Sequence, residues 1–234
     1  MQSSHSRRVL GRVIKISFVL FVAAVNLLIV WRVFFSANVP GSLKALTPTD
    51  RLTEAYTQHG DGLTLRYQNI YTTTYGKNNA GYFTISQYAY IPDANQFQIV
   101  VRYNNSTLRH LQEDYQLAEV PNKALEWFEF SLGKTTDLTP LDPNDNDKPE
   151  TLGRERIAPS TDTRDETSLY TYYRLVFEDV QIEQQTDGVF LDVYYLQDVN
   201  YENEAYGRLC LYDCREEWLE TKLSKADREA LSNP

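Results

Sequence analysis

From about residue 63, apolar and polar residues alternate with a period of two in runs broken by turn-forming residues, the pattern of half-buried antiparallel strands. Seven runs carry it, near Leu63 to Tyr71, Tyr82 to Ile91, Phe97 to Tyr103, Leu125 to Leu132, Tyr172 to Ile182, Val189 to Leu196 and Ala205 to Tyr212. Phe97, Ile99, Val101 and Tyr103 share one face of the third run, and Val189, Leu191, Val193 and Tyr195 one face of the sixth, which marks both as core strands. In the fifth, Tyr173, Leu175 and Phe177 keep one phase while Val180 and Ile182 take the other, so a bulge is expected near Glu178 and Asp179. Asp187-Gly188 reads as a tight turn into the sixth run. Short strands without long helical crossovers predict a mainly-β domain over 63–212, a two-sheet antiparallel sandwich of immunoglobulin-like or jelly-roll-like kind.

Ahead of the strands the pattern is different. Ile16 to Trp31 carries no charge, and across 13–35 the apolar stretch is interrupted only by Lys15, Asn26 and Arg32. Sixteen uncharged residues rise about 24 Å as a helix, and the flanking basic side chains can snorkel toward the edges of a core of about 30 Å. This predicts a single membrane-spanning anchor. Arg7, Arg8, Arg12 and Lys15 precede the run and only Arg32 and Lys44 follow closely, so residues 1–12 are expected in the cytosol and the bulk of the chain outside it. A cleaved signal peptide needs small residues at the −3 and −1 positions, and cleavage after Ala37 would put Phe35 at −3. Arg7-Arg8 also resembles a twin-arginine export signal, but the long apolar run is atypical of one.

Residues 36–62, punctuated by Pro40, Gly41, Pro48, Gly60 and Gly62, read as a stalk with a short helix capped by Thr47, presenting Leu52, Ala55 and Tyr56 on one face and packing on the membrane side of the domain. Ser106 to Tyr115 has helical spacing at Leu108, Leu111 and Tyr115, and the acidic stretch 135–167 lacks core residues and reads as a mobile insertion. A C-terminal amphipathic helix is expected from about Arg215 to Leu231 within 213–234, capped by Asp213, with Trp218, Leu219, Leu223, Ala226 and Ala230 as its apolar stripe.

Charge narrows the partners. All 32 acidic residues lie at or after Asp50, and five of the 23 basic ones lie in the first 32 residues, so the remainder carries 18 − 32 = −14. Such a field repels nucleic acid and anionic head groups. It favours cationic partners, divalent metal or mere solubility, and the partner expected is a protein or a glycan. Seventeen tyrosines suit pleated, half-buried surfaces. If Phe83, Ile85, Ala89 and Ile91 are buried, Tyr82, Tyr88 and Tyr90 share the opposite face, as Tyr206, Arg208 and Tyr212 do in the last run. Arg66, Arg102 and Arg174 also fall on polar phases. Rigid rings with guanidinium groups make Tyr82, Tyr88, Tyr90, Arg102, Arg174, Tyr206, Arg208 and Tyr212 the candidate binding face. Cross-strand tyrosine pairing under a covering loop or helix explains the same residues without a ligand.

Other chemistry is thinner. Cys210 and Cys214 are placed to bridge around one turn. Asp142, Asn144 and Asn146 begin like a calcium loop, but Asp147 stands where that loop needs Gly and Gly153 where it needs Glu. His59 and His110 fall in no metal motif, and no phosphate loop or nucleophile elbow is present, so no cofactor is implied. Glu178, Asp179, Glu183 and Asp192 could serve a glycan-acting hydrolase as paired carboxylates, a pairing an acidic chain also offers by chance. Asn104-Asn105-Ser106-Thr107 holds two overlapping glycosylation sequons. The reading is a non-catalytic bitopic protein presenting a sandwich for binding, or an accessory subunit of a membrane complex.

Overall fold

A computed structural model describes residues 3–36, 39–67, 73–75, 83–114, 116, 128–135, 150–151, 158, 161–167, 169–182, 188–195, 207–212 and 219–233. The chain divides into two compact units, Met1–Asn38 and Val39–Pro234.

The first unit is one continuous helix, α1 (Ser3–Ser36). Its side chains are described from Ile14 to Val30, and the large apolar ones among them that are exposed stand at 38–69%. That described stretch rises about 26 Å. Among the described residues no helix is long and apolar enough to cross a membrane.

The second unit is mainly β, with all strand pairs antiparallel. Its larger sheet contains β1 (Thr64–Tyr67), β3 (Phe83–Ile91), β4 (Gln96–Asn104), β7 (Arg164–Glu166), β8 (Tyr170–Glu178) and β11 (Leu219–Lys222), in the order β11-β1-β3-β4-β8-β7. The smaller contains β2 (Thr73–Tyr75), β5 (Phe128–Thr135), β6 (Glu150–Thr151), β9 (Gly188–Tyr195) and β10 (Gly207–Tyr212), in the order β2-β10-β9-β5-β6. One core joins the sheets, drawing Phe97, Ile99, Val101, Tyr103, Tyr173, Leu175 and Phe177 from the larger and Phe128, Phe130, Leu132, Val189, Leu191 and Val193 from the smaller. The arrangement is consistent with a sandwich. Phe83 bridges the layers, its ring 4.9 Å from Phe128 and 5.5 Å from Phe130, both edge-on; such pairs add about 0.5–1.5 kcal/mol each beyond burial.

All seven alternating runs contain strands. Helices α2 (Asp50–His59) and α3 (Thr107–Asp114) also form where the sequence placed helical spacing, though the cap of α2 is Thr49, whose Oγ1 accepts from Leu52 N at 3.2 Å. Residues 39–62, expected as a stalk whose short helix packs on the domain, belong to the second unit and cover the outer face of the larger sheet. Leu46, Leu52, Ala55 and Leu63 join Leu65, Ala89, Ile91, Leu223 and Leu231 in a second core, and Leu43 packs with Val100 and Tyr172 in a third.

Three further expectations are corrected. The β3/β4 register shifts between Ile85 and Gln87, so the extra residue Ser86 reverses the phase of everything after it. Tyr88 and Tyr90 therefore turn into the inter-sheet core, each 4% exposed, while Ala89 and Ile91 face the second core. The closing helix is shorter than expected: α4 (Lys225–Ser232) starts at Ser224, and Leu219–Lys222 is an edge strand paired with β1. Within the expected mobile insertion 135–167, Glu150–Thr151 and Arg164–Glu166 are strands β6 and β7, paired with β5 and β8, while Asp187 of the expected tight turn lies outside the described residues. The change of phase after Phe177 falls at Asp179, where φ is 60° and the chain turns Val180 and Ile182 into the core.

Candidate functional site

The main polar cluster among the described buried residues lies on the outer face of the larger sheet, where it grips the segment that follows α1. It is built from β4 and β8. Gln96 and Gln98 occupy the outward phase of β4 and are 0% exposed, and Arg174, on the outward phase of β8, is 2% exposed. The register sets Arg174 opposite Val100 and Val176 opposite Gln98, so the guanidinium and the amide meet diagonally.

These side chains read main chain. Gln98 Nε2 donates to Thr47 O at 2.9 Å, and Thr47 N donates to Gln98 Oε1 at 2.9 Å, an amide paired with a peptide group at both ends. Gln98 Nε2 also donates to Gln96 Oε1 at 2.9 Å, and Gln96 Nε2 to Thr49 Oγ1 at 2.8 Å. The network thus runs into the cap of α2. Arg174 Nη1 donates to Gln98 Oε1 at 3.3 Å, and Arg174 Nη2 donates to the carbonyl of Leu43.

A second grip comes from the C-terminus. Asp227 closes a capping box with Ser224, its Oδ2 accepting from Ser224 N at 2.8 Å and its own N donating to Ser224 Oγ at 3.1 Å. The other carboxylate oxygen accepts from Leu46 N at 2.8 Å. A third comes from β7, where Asp165 accepts from the Ser42 hydroxyl. A buried cation therefore meets a carbonyl at Leu43 and a buried anion meets an N–H at Leu46, which fixes the direction of the segment between them. Burial lowers the Arg174 pKa to about 10, and the charge of Asp227 partly offsets that. Arg174 Nε is buried without a partner, so the guanidinium is held at some cost in solvation. Leu43 and Leu46, almost wholly buried on either side, add about 1.5–3 kcal/mol each.

The described members of the expected tyrosine and arginine face do not share one surface. Arg174 keeps its outward phase but lies beneath residues 39–49 as part of the clamp, because the segment read as a stalk covers it. Arg102 lies on the same face, half-buried, with its guanidinium carbon 4.7 Å from the centre of the Tyr170 ring. Tyr88 and Tyr90 are core residues. Arg208, Cys210 and Tyr212 lie in β10 of the smaller sheet, Arg208 directly opposite Asp192 and Tyr75. Tyr82, Tyr206, Cys214, Glu183 and the calcium candidates Asp142, Asn144 and Asn146 lie outside the described residues. Of the proposed carboxylates, Glu178 and Asp179 belong to the end of β8, with Asp179 paired to Arg51, whereas the buried Asp192 is in β9 of the other sheet.

Gln96, Gln98 and Asp227 were not singled out from the sequence, and Thr47 only as a helix cap. The available signal was two amides at alternate positions of a strand otherwise almost wholly apolar, Gln96-Phe97-Gln98-Ile99-Val100-Val101. Comparison with protein-family models, with curated proteins and with solved structures finds no match.

Proposed function

We propose that this is a bitopic, non-catalytic membrane protein whose β domain lies outside the cytosol as an accessory subunit binding a protein partner in the same membrane. The clamp on residues 43–49 carries the reading. Only Ala37 and Asn38 separate the end of α1 from Val39, which already packs with Leu43, Val100 and Tyr172. Residues 43–49 are bound into the domain and are not free to act as a flexible stalk, which suits a subunit that works on neighbours in its own membrane. The uncharged run 16–31, the basic residues before it and the exposed apolar side chains of α1 support the anchor. Within the two-sheet class an immunoglobulin-like rather than jelly-roll-like kind is favoured, since β3-β4, β5-β6, β7-β8 and β9-β10 each pair in succession within one sheet.

Two measurements test it. Single cysteines at Ser4 and Ser232 in intact cells, with the native cysteines replaced, should differ in labelling by an impermeant maleimide, Ser232→Cys reacting and Ser4→Cys not. The reverse pattern sinks the topology. A flexible Gly/Ser insert of about 12 residues between Ala37 and Asn38 extends the reach by about 20 Å. It should leave the fold intact and abolish cross-linking to a stoichiometric membrane neighbour. Retention of that neighbour argues against a partner that depends on the short connection.

A further inference from the structure

The larger sheet ends at β11, which among the described residues pairs on one side only, with β1. All its residues are exposed. Outside α1, Tyr67 and Leu219 are the exposed large hydrophobic side chains among the described residues, at 37% and 43%, and they are cross-strand partners at this edge. We propose that β11 is a pairing edge for a second copy of this chain, joined antiparallel about a two-fold axis at Thr221.

The charges select that register. With the axis at Thr221, Glu220 of each copy stands opposite Lys222 of the other, and Thr221 meets Thr221. An axis at Glu220 would oppose two glutamates, and one at Lys222 two lysines. An axis between Glu220 and Thr221 leaves both charges unmatched, Glu220 facing Thr221 and Lys222 facing Leu219. Only the Thr221 register gives each charge its opposite, twice over by symmetry. Arg66 donates from Nε to Glu220 at 2.9 Å on the same face, so pairing extends an existing ion pair into a row of alternating sign. A lysine on an edge strand ordinarily repels such pairing. Here Glu220, two residues before it, makes the edge self-complementary.

The test uses the full-length chain in detergent micelles with Cys210→Ser and Cys214→Ser. Directly opposed residues in an antiparallel pair have Cα atoms about 4.5–5.5 Å apart, within the roughly 4.4–6.8 Å a disulfide spans. Thr221→Cys should therefore give a disulfide-linked dimer on mild oxidation. Glu220→Cys, whose symmetry mate lies about 8 Å away, should link poorly. Adding Lys222→Glu to Thr221→Cys should lower the yield about tenfold. Mixing that protein with one carrying Thr221→Cys and Glu220→Lys should restore linkage between the two unlike copies. A Thr221→Cys chain that stays monomeric, equal linkage at Glu220→Cys, or a yield indifferent to Lys222→Glu overturns the proposal.

Discussion

The side-chain amide of Gln98 pairs with the peptide group of Thr47 at both ends, donating to its carbonyl and accepting from its N–H, each at 2.9 Å. A strand on the outer face of the sheet thus fixes a segment 51 residues earlier in the chain. The contact replaces water for both peptide atoms, so its loss strands them together.

Gln98→Ala is expected to lower unfolding free energy by about 2–4 kcal/mol, combining lost packing with stranded peptide groups. Urea unfolding measures it. Amide exchange at Thr47 should rise more than exchange in β9, which the clamp does not touch.

Asp227→Asn should weaken both the cap of α4 and the hold on Leu46, by about 1–3 kcal/mol together. Because one carboxylate serves both, exchange at Leu46 and in the first turn of α4 should accelerate in parallel. Independent changes would show that the two contacts are separate.

Tyr88→Ala and Tyr90→Ala should each destabilise the domain by about 3–5 kcal/mol, as core truncations do. Arg102→Ala, removing the cation from the Tyr170 ring, should cost about 0.5–1 kcal/mol. Thermal melts of the three variants distinguish this ordering from a surface role for the tyrosines, in which all three would be nearly silent.

Burial raises the Tyr90 and Tyr173 pKa values above the ordinary 10.0, more strongly for Tyr173. The folded state keeps these protons while the unfolded chain releases them near pH 10, so above that pH the native state binds more protons and stability falls as pH rises. The contribution is fully present below pH 10. Absorbance at about 295 nm during alkaline titration should show these phenols ionising only together with unfolding; reversible ionisation in the folded state would contradict their burial.

Where two side-chain faces differed in polarity, the sequence was legible. The seven runs contain strands because alternation records one buried face, and Tyr173, Leu175 and Phe177 fall on the core side as their phase requires. β3 misled for a local reason. One extra residue near Ser86 inverts the phase, and both faces beyond it are buried, so Tyr88-Ala89-Tyr90-Ile91 holds no polar position to betray the switch. The strands that alternation missed, β2, β6, β7 and β11, are the four edges of the two sheets. Strands of two to four residues are too short to show a period of two.

The sequence by itself determined a charge-free N-terminal run, an acidic remainder and a set of amphipathic strands, because each depends only on neighbouring residues. Only the tertiary structure decided that residues 39–62 are wall rather than stalk, and that Arg174 is buried rather than presented. Those outcomes rest on Gln98 meeting Thr47, Arg174 meeting Leu43 and Asp227 meeting Leu46, contacts 51, 131 and 181 residues apart. Polar side chains look the same in sequence whether their partner is water or a peptide group brought back by the fold.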